Sequence, residues 1–234
     1  MARSLSLLLL LVACFLVAGA TAARPAPLAS TSAADDDAAA ISSFVRTWCA
    51  GTEYPALCDA TLAPYSATVG TSPAKLAWAA LTVTLSGARN ATSAVRSIAA
   101  RSHLPPVAAE AAGDCASELG DGVDALRRCV DAMARVGEEM EERERTLCQT
   151  ARAARMTSFW SESAARKVRF EVDNVRTWAS AALTDDNMCM EGFKGEAAGG
   201  GGAREAVRGH IMGLVHLTAN ALAILNAMAK QTPP

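Results

Sequence analysis

Cysteine is the residue type in this sequence whose number and spacing point most directly to chemistry. The chain has seven cysteines, and Cys14 lies in an apolar N-terminal run that we expect to be removed, which leaves six. These six are Cys49, Cys58, Cys115, Cys129, Cys148 and Cys189. An even number of cysteines in an oxidising compartment indicates disulfide bonds, although six cysteines allow about 15 pairings. Cys129 and Cys148 either form one of these pairs or remain buried thiols.

No other residue type has a spacing that predicts catalysis or metal binding. His210 and His216 fall on different faces of a predicted helix, and His103 has no evident acid or nucleophile partner. The glycine run 199–202 has no Lys-Ser/Thr after it and no strand before it, so it is a linker rather than a phosphate loop. We therefore predict no catalytic residue, no metal, no cofactor and no enzymatic activity.

The N-terminus has the features of a cleaved secretory signal. One basic residue, an apolar run from Leu5 to Ala18 and an Ala-x-Ala site predict cleavage after Ala22, leaving 234 − 22 = 212 residues. Loss of Arg3 moves the formal charge from −2 to −3, which argues against nucleic acid as a partner. Because no second apolar run of spanning length is evident, we predict a secreted protein with no membrane contact.

The remaining chain divides by composition into a leader, one domain and a tail. Residues 23–37 are small and polar with three aspartates, which predicts a disordered leader. Residues 38–230 form the domain, and 231–234 are a short tail. Within the domain, residues 138–167 carry an acidic and then a basic cluster, which favours an exposed helix extension or a disordered loop over a nucleic-acid or membrane contact.

Helical periodicity dominates the domain. A helix from Ala38 to Cys49 and a short one opening at Pro55 form a hairpin whose corner lies between Cys49 and Cys58, a separation that a disulfide closes easily. Four long amphipathic helices follow, and no segment alternates with period two. The fold class is thus all-α, an antiparallel up-down-up-down four-helix bundle with an N-terminal α-hairpin.

Apolar positions alternating by four and three define the core face of each long helix. The third long helix is expected to end at the polar turn 184–187, and the last to run from Arg204 to Ala229. The predicted stripes comprise Leu76, Ala80, Val83, Gly87, Asn90, Ala94 and Ser97, widened by Leu81, Leu85, Val95 and Ile98; Leu119, Val123, Leu126, Val130 and Met133; Val168, Val172, Val175, Ala179 and Ala182; and Val207, Ile211, Leu214, Thr218, Ala221, Leu225 and Met228. Asn90 also opens a glycosylation sequon with Thr92, which requires an exposed side chain, whereas its place on the stripe favours burial.

Three segments resemble the plant invertase and pectin methylesterase inhibitor domain. They are WCAGTEYPALCDATL at 48–62, DCASELGDGVDALRRC at 114–129 and VRTWASAALTDDNMCMEGF at 175–193. The resemblance extends from about residue 40 to 229. It implies a secreted cell-wall protein whose disulfides join Cys49 to Cys58 and Cys115 to Cys189. The 138–167 segment is an insertion relative to this family, and Cys129 and Cys148 lie outside its four-cysteine pattern.

The resemblance also implies a function and a contact surface. Members of this family inhibit a carbohydrate-active enzyme of the plant cell wall, either pectin methylesterase or acid invertase. The sequence segments of the hairpin and of the third long helix are more similar to those of the pectin methylesterase inhibitors. The Pro-Lys-Phe tripeptide of the invertase inhibitors is absent from the sequence. By position, Glu118, Asp121, Met188 and Glu191 would contact the enzyme.

Overall fold

A computed structural model of the chain describes residues 30–150, 158–195 and 202–231. These residues form helices and turns, with no strand among them. In chain order the helices are α1 (Ser30–Cys49), α2 (Pro55–Leu62), a 3-10 turn (Ala63–Tyr65), α3 (Ser66–Val69), α4 (Pro73–Ala99), α5 (Pro106–Thr150), α6 (Ser158–Glu191) and α7 (Ala203–Gln231). The predicted all-α class is confirmed.

The four long helices α4 to α7 form the bundle. α5 packs between α4 and α6, and α7 closes the bundle by packing against the other sides of α4 and α6. Side-chain pairs run in opposite order along neighbouring helices: Thr218 contacts Asp186, and Asn226 contacts Arg176. Neighbouring helices are therefore antiparallel, as the sequence predicts.

The periodicity predicts the buried face correctly for α6 and α7. Every residue of the two stripes predicted for these helices is buried. In α4 the prediction is confirmed for the residues that widen the stripe, since Leu81, Leu85, Val95 and Ile98 are buried. It is wrong for Asn90 and Ser97 in the C-terminal half, which are exposed. A stripe of period 3.5 rotates around a helix of period 3.6, and small residues do not mark which face is apolar.

Two predicted helix ends differ from the structure. α1 begins at Ser30 rather than at Ala38, so residues 30–37 of the expected disordered leader are helical, while 1–29 lie outside the described residues. α6 continues through the polar turn expected at 184–187 and ends at Glu191. The hydroxyl of Thr184 donates to the Ser180 carbonyl and the amide of Asn187 to the Leu183 carbonyl, so these side chains bond within the helix instead of ending it.

The described parts of the charged 138–167 segment extend two bundle helices. α5 continues to Thr150 and α6 starts at Ser158, while residues 151–157 lie outside the described part. The ammonium of Lys167 on α6 pairs with the Glu139 carboxylate on α5, and the Lys75 ammonium on α4 lies 2.5 Å from a Glu141 oxygen. These parts therefore form helix extensions, one of the two structures predicted for the segment.

The last helix, α7, is long and apolar enough to span a membrane by length and composition alone. The prediction that no such run follows the N-terminal one is therefore wrong. Its buried face contacts α4 and α6, and 44% of its most apolar 18-residue stretch is buried. Packing within the bundle accounts for this composition.

The hairpin of α1 and α2 is held on the bundle by one asparagine of α7. The Tyr54 N–H donates to Asn220 Oδ1, and Asn220 Nδ2 donates to the Tyr54 carbonyl, both at 2.9 Å. The Tyr54 ring stacks on His216 with the centroids 3.7 Å apart. The buried Asn220 thus supplies an acceptor for the Tyr54 N–H and a second donor for the Tyr54 carbonyl, which also accepts from the Cys58 N–H at 3.0 Å.

Asn220→Ala is expected to lower the free energy of unfolding by about 1–3 kcal/mol, because the Tyr54 N–H loses its partner and the Tyr54 carbonyl keeps only the Cys58 N–H. The measurement is equilibrium denaturation, with hydrogen exchange of the hairpin amides as a local probe. Asn226→Ala is the matched control, since Asn226 accepts only from the Arg176 side chain, at 2.8 Å. A cost for Asn220→Ala no larger than that of the control would contradict the assigned role.

Candidate partner-binding surface

The disulfide between Cys115 and Cys189 fixes α5 against α6 at one end of the bundle. Its Cα atoms are 4.1 Å apart and its cysteines are 74 residues apart in sequence. A second disulfide joins Cys49 to Cys58 across the hairpin, with Cα atoms 5.4 Å apart. Both pairings implied by the resemblance are present in the structure.

The third pairing left open by the sequence, Cys129 with Cys148, is not formed. Cys129 is a free, fully buried thiol, and its Sγ lies 3.5 Å from the Val175 carbonyl oxygen to which it donates. Burial raises the pKa of this thiol to about 12, so it stays protonated and unreactive. Cys129 faces α6 in the bundle core, and the Cys148 side chain lies outside the described residues.

Gly122 of α5 faces Asp185 of α6, near the disulfide. A Cβ added at Gly122 would lie 3.6 Å from Asp185 Cβ and 3.8 Å from Ala182 Cα. These are ordinary contact distances, so an alanine would also fit at this position. The contact places Asp185 of α6 directly over α5.

Asp185 completes an acidic cluster with the two acids that the sequence predicts on α5. Partial burial raises the pKa of Asp185, and the charges of Glu118 and then Asp121 raise it further. Glu118 is half-buried and Asp121 is exposed. The structure therefore brings Glu118 and Asp121 together with a third carboxyl that sequence reasoning had assigned to a turn.

The neighbouring acid, Asp186, points inward. It is 1% exposed, and burial, followed by the nearby charge of Asp185, raises its pKa to about 7, although the Thr218 hydroxyl opposes this shift. Thr218 Oγ1 lies 2.8 Å from Asp186 Oδ2 and 3.0 Å from the Leu214 carbonyl oxygen. The one hydroxyl proton can serve only one of these acceptors. A protonated Asp186 donates to Thr218 and satisfies all three groups.

An aromatic residue lies along the same α5–α6 junction. The Arg128 guanidinium of α5 is 5.7 Å from the ring centroid of Trp178 on α6. Trp178 is half-buried, and Arg128 is exposed. A partly exposed tryptophan beside arginine is a composition typical of interface anchors. Trp178 and Asp185 are seven residues apart in the sequence. This spacing would have predicted that both lie on one helix face, had α6 been expected to continue past residue 184.

The two other predicted contact residues lie at the C-terminal end of α6. Met188 is 50% exposed, which is high for a large apolar side chain. The Glu191 carboxylate is paired with the Lys194 ammonium, so its charge is partly neutralised. We define the α5–α6 surface as Glu118, Asp121, Arg128, Trp178, Asp185 and Met188.

The sequon asparagine Asn90 is exposed on α4, on the side opposite its buried residues. The predicted position of Asn90 on the apolar stripe argued against glycosylation, because it favoured burial. Since the side chain is exposed, that argument no longer applies, and glycosylation at Asn90 remains a prediction. Among the described residues, no group of three or more His, Cys, Asp or Glu side chains could hold a metal ion.

Comparison with known proteins identifies the family. The family model described as plant invertase/pectin methylesterase inhibitor matches residues 43–224. A "21 kDa protein" of Daucus carota is 31% identical over 192 residues, covering 82% of this chain and 86% of that protein. Pectinesterase inhibitor 11 of Arabidopsis thaliana is 33% identical over 188 residues, covering 80% of this chain and 81% of the relative. Pectinesterase inhibitor 10 of the same plant is 31% identical over 186 residues, which are 80% of this chain and 51% of the relative. The chain therefore belongs to the plant invertase/pectin methylesterase inhibitor family.

Proposed function

We propose that this protein is a secreted, non-enzymatic inhibitor of pectin methylesterase that acts in the plant cell wall. It binds the enzyme in a stoichiometric, non-covalent complex and covers the substrate cleft with its α5–α6 surface. The observation that carries the proposal is the α5–α6 surface itself, where a disulfide and helix packing hold an acidic cluster beside an exposed methionine and a tryptophan. Relatives named pectinesterase inhibitors support the target.

The rigidity of this surface supports blocking rather than chemistry. Two packed helices with a covalent cross-link lose little conformational freedom on binding, which leaves more of the interaction energy for affinity. Trp178 and Met188 supply apolar contact area on the two sides of the acidic cluster along α6. No inhibitor residue needs to react with the substrate.

Acid invertase is the alternative target, because the family description names both enzymes. The discriminating experiment measures inhibition of purified pectin methylesterase and purified acid invertase by the same preparation of the protein. We expect loss of pectin methylesterase activity at a one-to-one ratio and unchanged invertase activity. Inhibition of invertase alone would show that acid invertase, and not pectin methylesterase, is the target. Inhibition of neither enzyme would overturn both.

Asp185→Asn is expected to flatten the pH dependence of inhibition. Asp185 already retains its proton more strongly than an ordinary aspartate, because of its burial and the charges of Glu118 and Asp121. Placing it against an acidic enzyme cleft raises its pKa further, so binding weakens as pH rises toward neutral, by at most roughly tenfold per pH unit for one proton. Asparagine carries no charge, and the variant should keep its affinity at neutral pH.

The measurement is the inhibition constant of wild type and variant as a function of pH from mildly acidic to neutral. Asp131→Asn removes the same charge from the exposed side of α5 and should leave the wild-type slope intact. Parallel profiles for wild type and Asp185→Asn would show that Asp185 does not share a proton with the enzyme. Since Asp185 is only partly buried, we expect both variants to fold.

A further inference from the structure

A second surface, between α4 and α5, has a composition unlike the α5–α6 surface. It is an open cleft of about 810 Å³. Its charged and hydroxyl-bearing lining residues are Arg89, Thr92, Ser93, Arg96, Ser97, Ser117, Asp121, Asp124 and Arg127. A further cleft of about 530 Å³ shares Arg96, Ala100 and Ser117 with it, so one groove continues along both helices. We call this the α4–α5 groove.

The two arginines on the α4 wall are available to a ligand. Arg89 and Arg96 are exposed, and neither forms an ion pair with any residue that the structure describes. They are seven residues apart on one helix, which separates their Cα atoms by about 10.5 Å along the axis. The guanidinium group binds carboxylates through two parallel hydrogen bonds. The α4 wall therefore offers two separate carboxylate positions.

The α5 wall carries the groups that would oppose an anion. Asp124 accepts from Arg127 at 2.7 Å, so its charge is compensated within the wall. Asp121 remains as the one carboxylate without an ion pair in the groove. The Asp121 carboxylate and the exposed hydroxyls of Ser93 and Ser117 can bond the hydroxyl groups of a ligand. Thr92 is buried, and its hydroxyl donates to the Ala88 carbonyl. The groove thus combines donors for carboxylates with partners for hydroxyls.

We propose that the α4–α5 groove binds a carboxylate-bearing oligosaccharide. Such a ligand presents carboxylates to Arg89 and Arg96 and hydroxyl groups to Asp121 and the serine side chains. The groove is open and continues beyond its main cleft, so a chain fits it better than an isolated anion. The groove shares Asp121 with the α5–α6 surface. This binding still goes beyond enzyme inhibition, since its two arginines lie on α4, which does not contribute to the α5–α6 surface.

The test is isothermal titration of the secreted chain with an oligogalacturonate, with its fully methyl-esterified form, and with inorganic polyphosphate. We expect binding of the oligogalacturonate, and at least roughly tenfold weaker binding of the other two, because each lacks either the carboxylates or the hydroxyls that the groove recognises. Absence of oligogalacturonate binding, or equal binding of polyphosphate, would overturn the proposal.

Variants locate the ligand. Replacing both Arg89→Gln and Arg96→Gln should weaken oligogalacturonate binding by roughly tenfold or more. The matched control is Arg204→Gln with Arg208→Gln on α7, which removes the same charge from exposed positions outside the groove. Equal weakening by the control pair would mean that only net charge matters, and would contradict a site in the groove.

A steric variant gives an independent readout. A Cβ at Gly120 would lie 3.7 Å from Arg96 Nη2, so a side chain there enters the groove without a clash. Gly120→Gln should weaken binding while keeping or improving helix stability. Inhibition of pectin methylesterase is expected to be unchanged by the Arg89 and Arg96 variant. This comparison separates failure of the groove proposal from failure of the proposed function.

Discussion

Replacing Cys115 and Cys189 together by alanine is expected to lower the free energy of unfolding by about 4.5 kcal/mol. The reason is the length of the loop that the disulfide closes, 74 residues, which restricts the unfolded chain far more than a short loop does. Equilibrium denaturation followed by far-UV circular dichroism measures the change. The same variant should lose inhibition of pectin methylesterase, because α5 and α6 are no longer fixed together.

The other disulfide is the matched control. Cys49 and Cys58 are nine residues apart in sequence, and their joint replacement by alanine should cost only about 2.6 kcal/mol on the same loop-entropy basis. All four cysteines are 1% exposed, so the packing lost is similar. Equal costs for the two pairs, or a larger cost for the hairpin pair, would show that loop length does not decide the stabilisation here.

Asp186→Asn is expected to remove most of the loss of stability that the protein undergoes between acidic and neutral pH. The pKa of Asp186 is 3.8 in the reference state and about 7 in the fold. The folded state holds a proton that the unfolded chain releases, so stability is greatest below pH 3.8, falls as pH rises, and levels off above pH 7. The difference, 7 − 3.8 = 3.2 pH units, corresponds to about 4 kcal/mol.

Asparagine reproduces the protonated acid at this position. Its amide can donate to Thr218 Oγ1, and the Thr218 hydroxyl can then donate to the Leu214 carbonyl, 3.0 Å away. The measurement is the free energy of unfolding across this pH range, for wild type and variant. The variant should match wild type in acid and exceed it at neutral pH. Asp185→Asn is the control, because Asp185 is much less buried and should change the profile little. A wild-type slope retained in Asp186→Asn would contradict the assignment.

Large apolar residues made most of the fold predictable. Eight of the twelve stripe positions of α6 and α7 hold Val, Ile, Leu or Met. Burying each such side chain contributes about 1.5–3 kcal/mol, so the stripe and the core coincide. The α4 stripe included Gly87, Asn90 and Ser97, which gain little from burial. The large residues predicted to widen that stripe, among them Leu85, Val95 and Ile98, are buried and decide the orientation of α4.

The candidate site was predictable only in part, because local turn chemistry was misleading. Thr184 to Asn187 are residues that often end helices, yet a local preference of this kind is worth less than 1 kcal/mol per residue. The disulfide at Cys189 and the core packing of Ala182 outweigh it. Once α6 continues, Asp185 reaches α5 and Asp186 enters the core, and neither position can be derived from the four-residue turn alone.

The sequence by itself determined the helical class, the hairpin, the four amphipathic helices and the buried faces of α6 and α7, since these depend on spacing along one chain. Motif resemblance added the family and the two disulfide pairs. Only the tertiary structure decided that Cys129 remains a thiol beside Val175 and that Asp185 lies against α5. It also decided that Arg89 and Arg96 line a groove. Each of these depends on how closely two helices approach and at what rotation, which the packing of their small residues sets and which no single helix encodes.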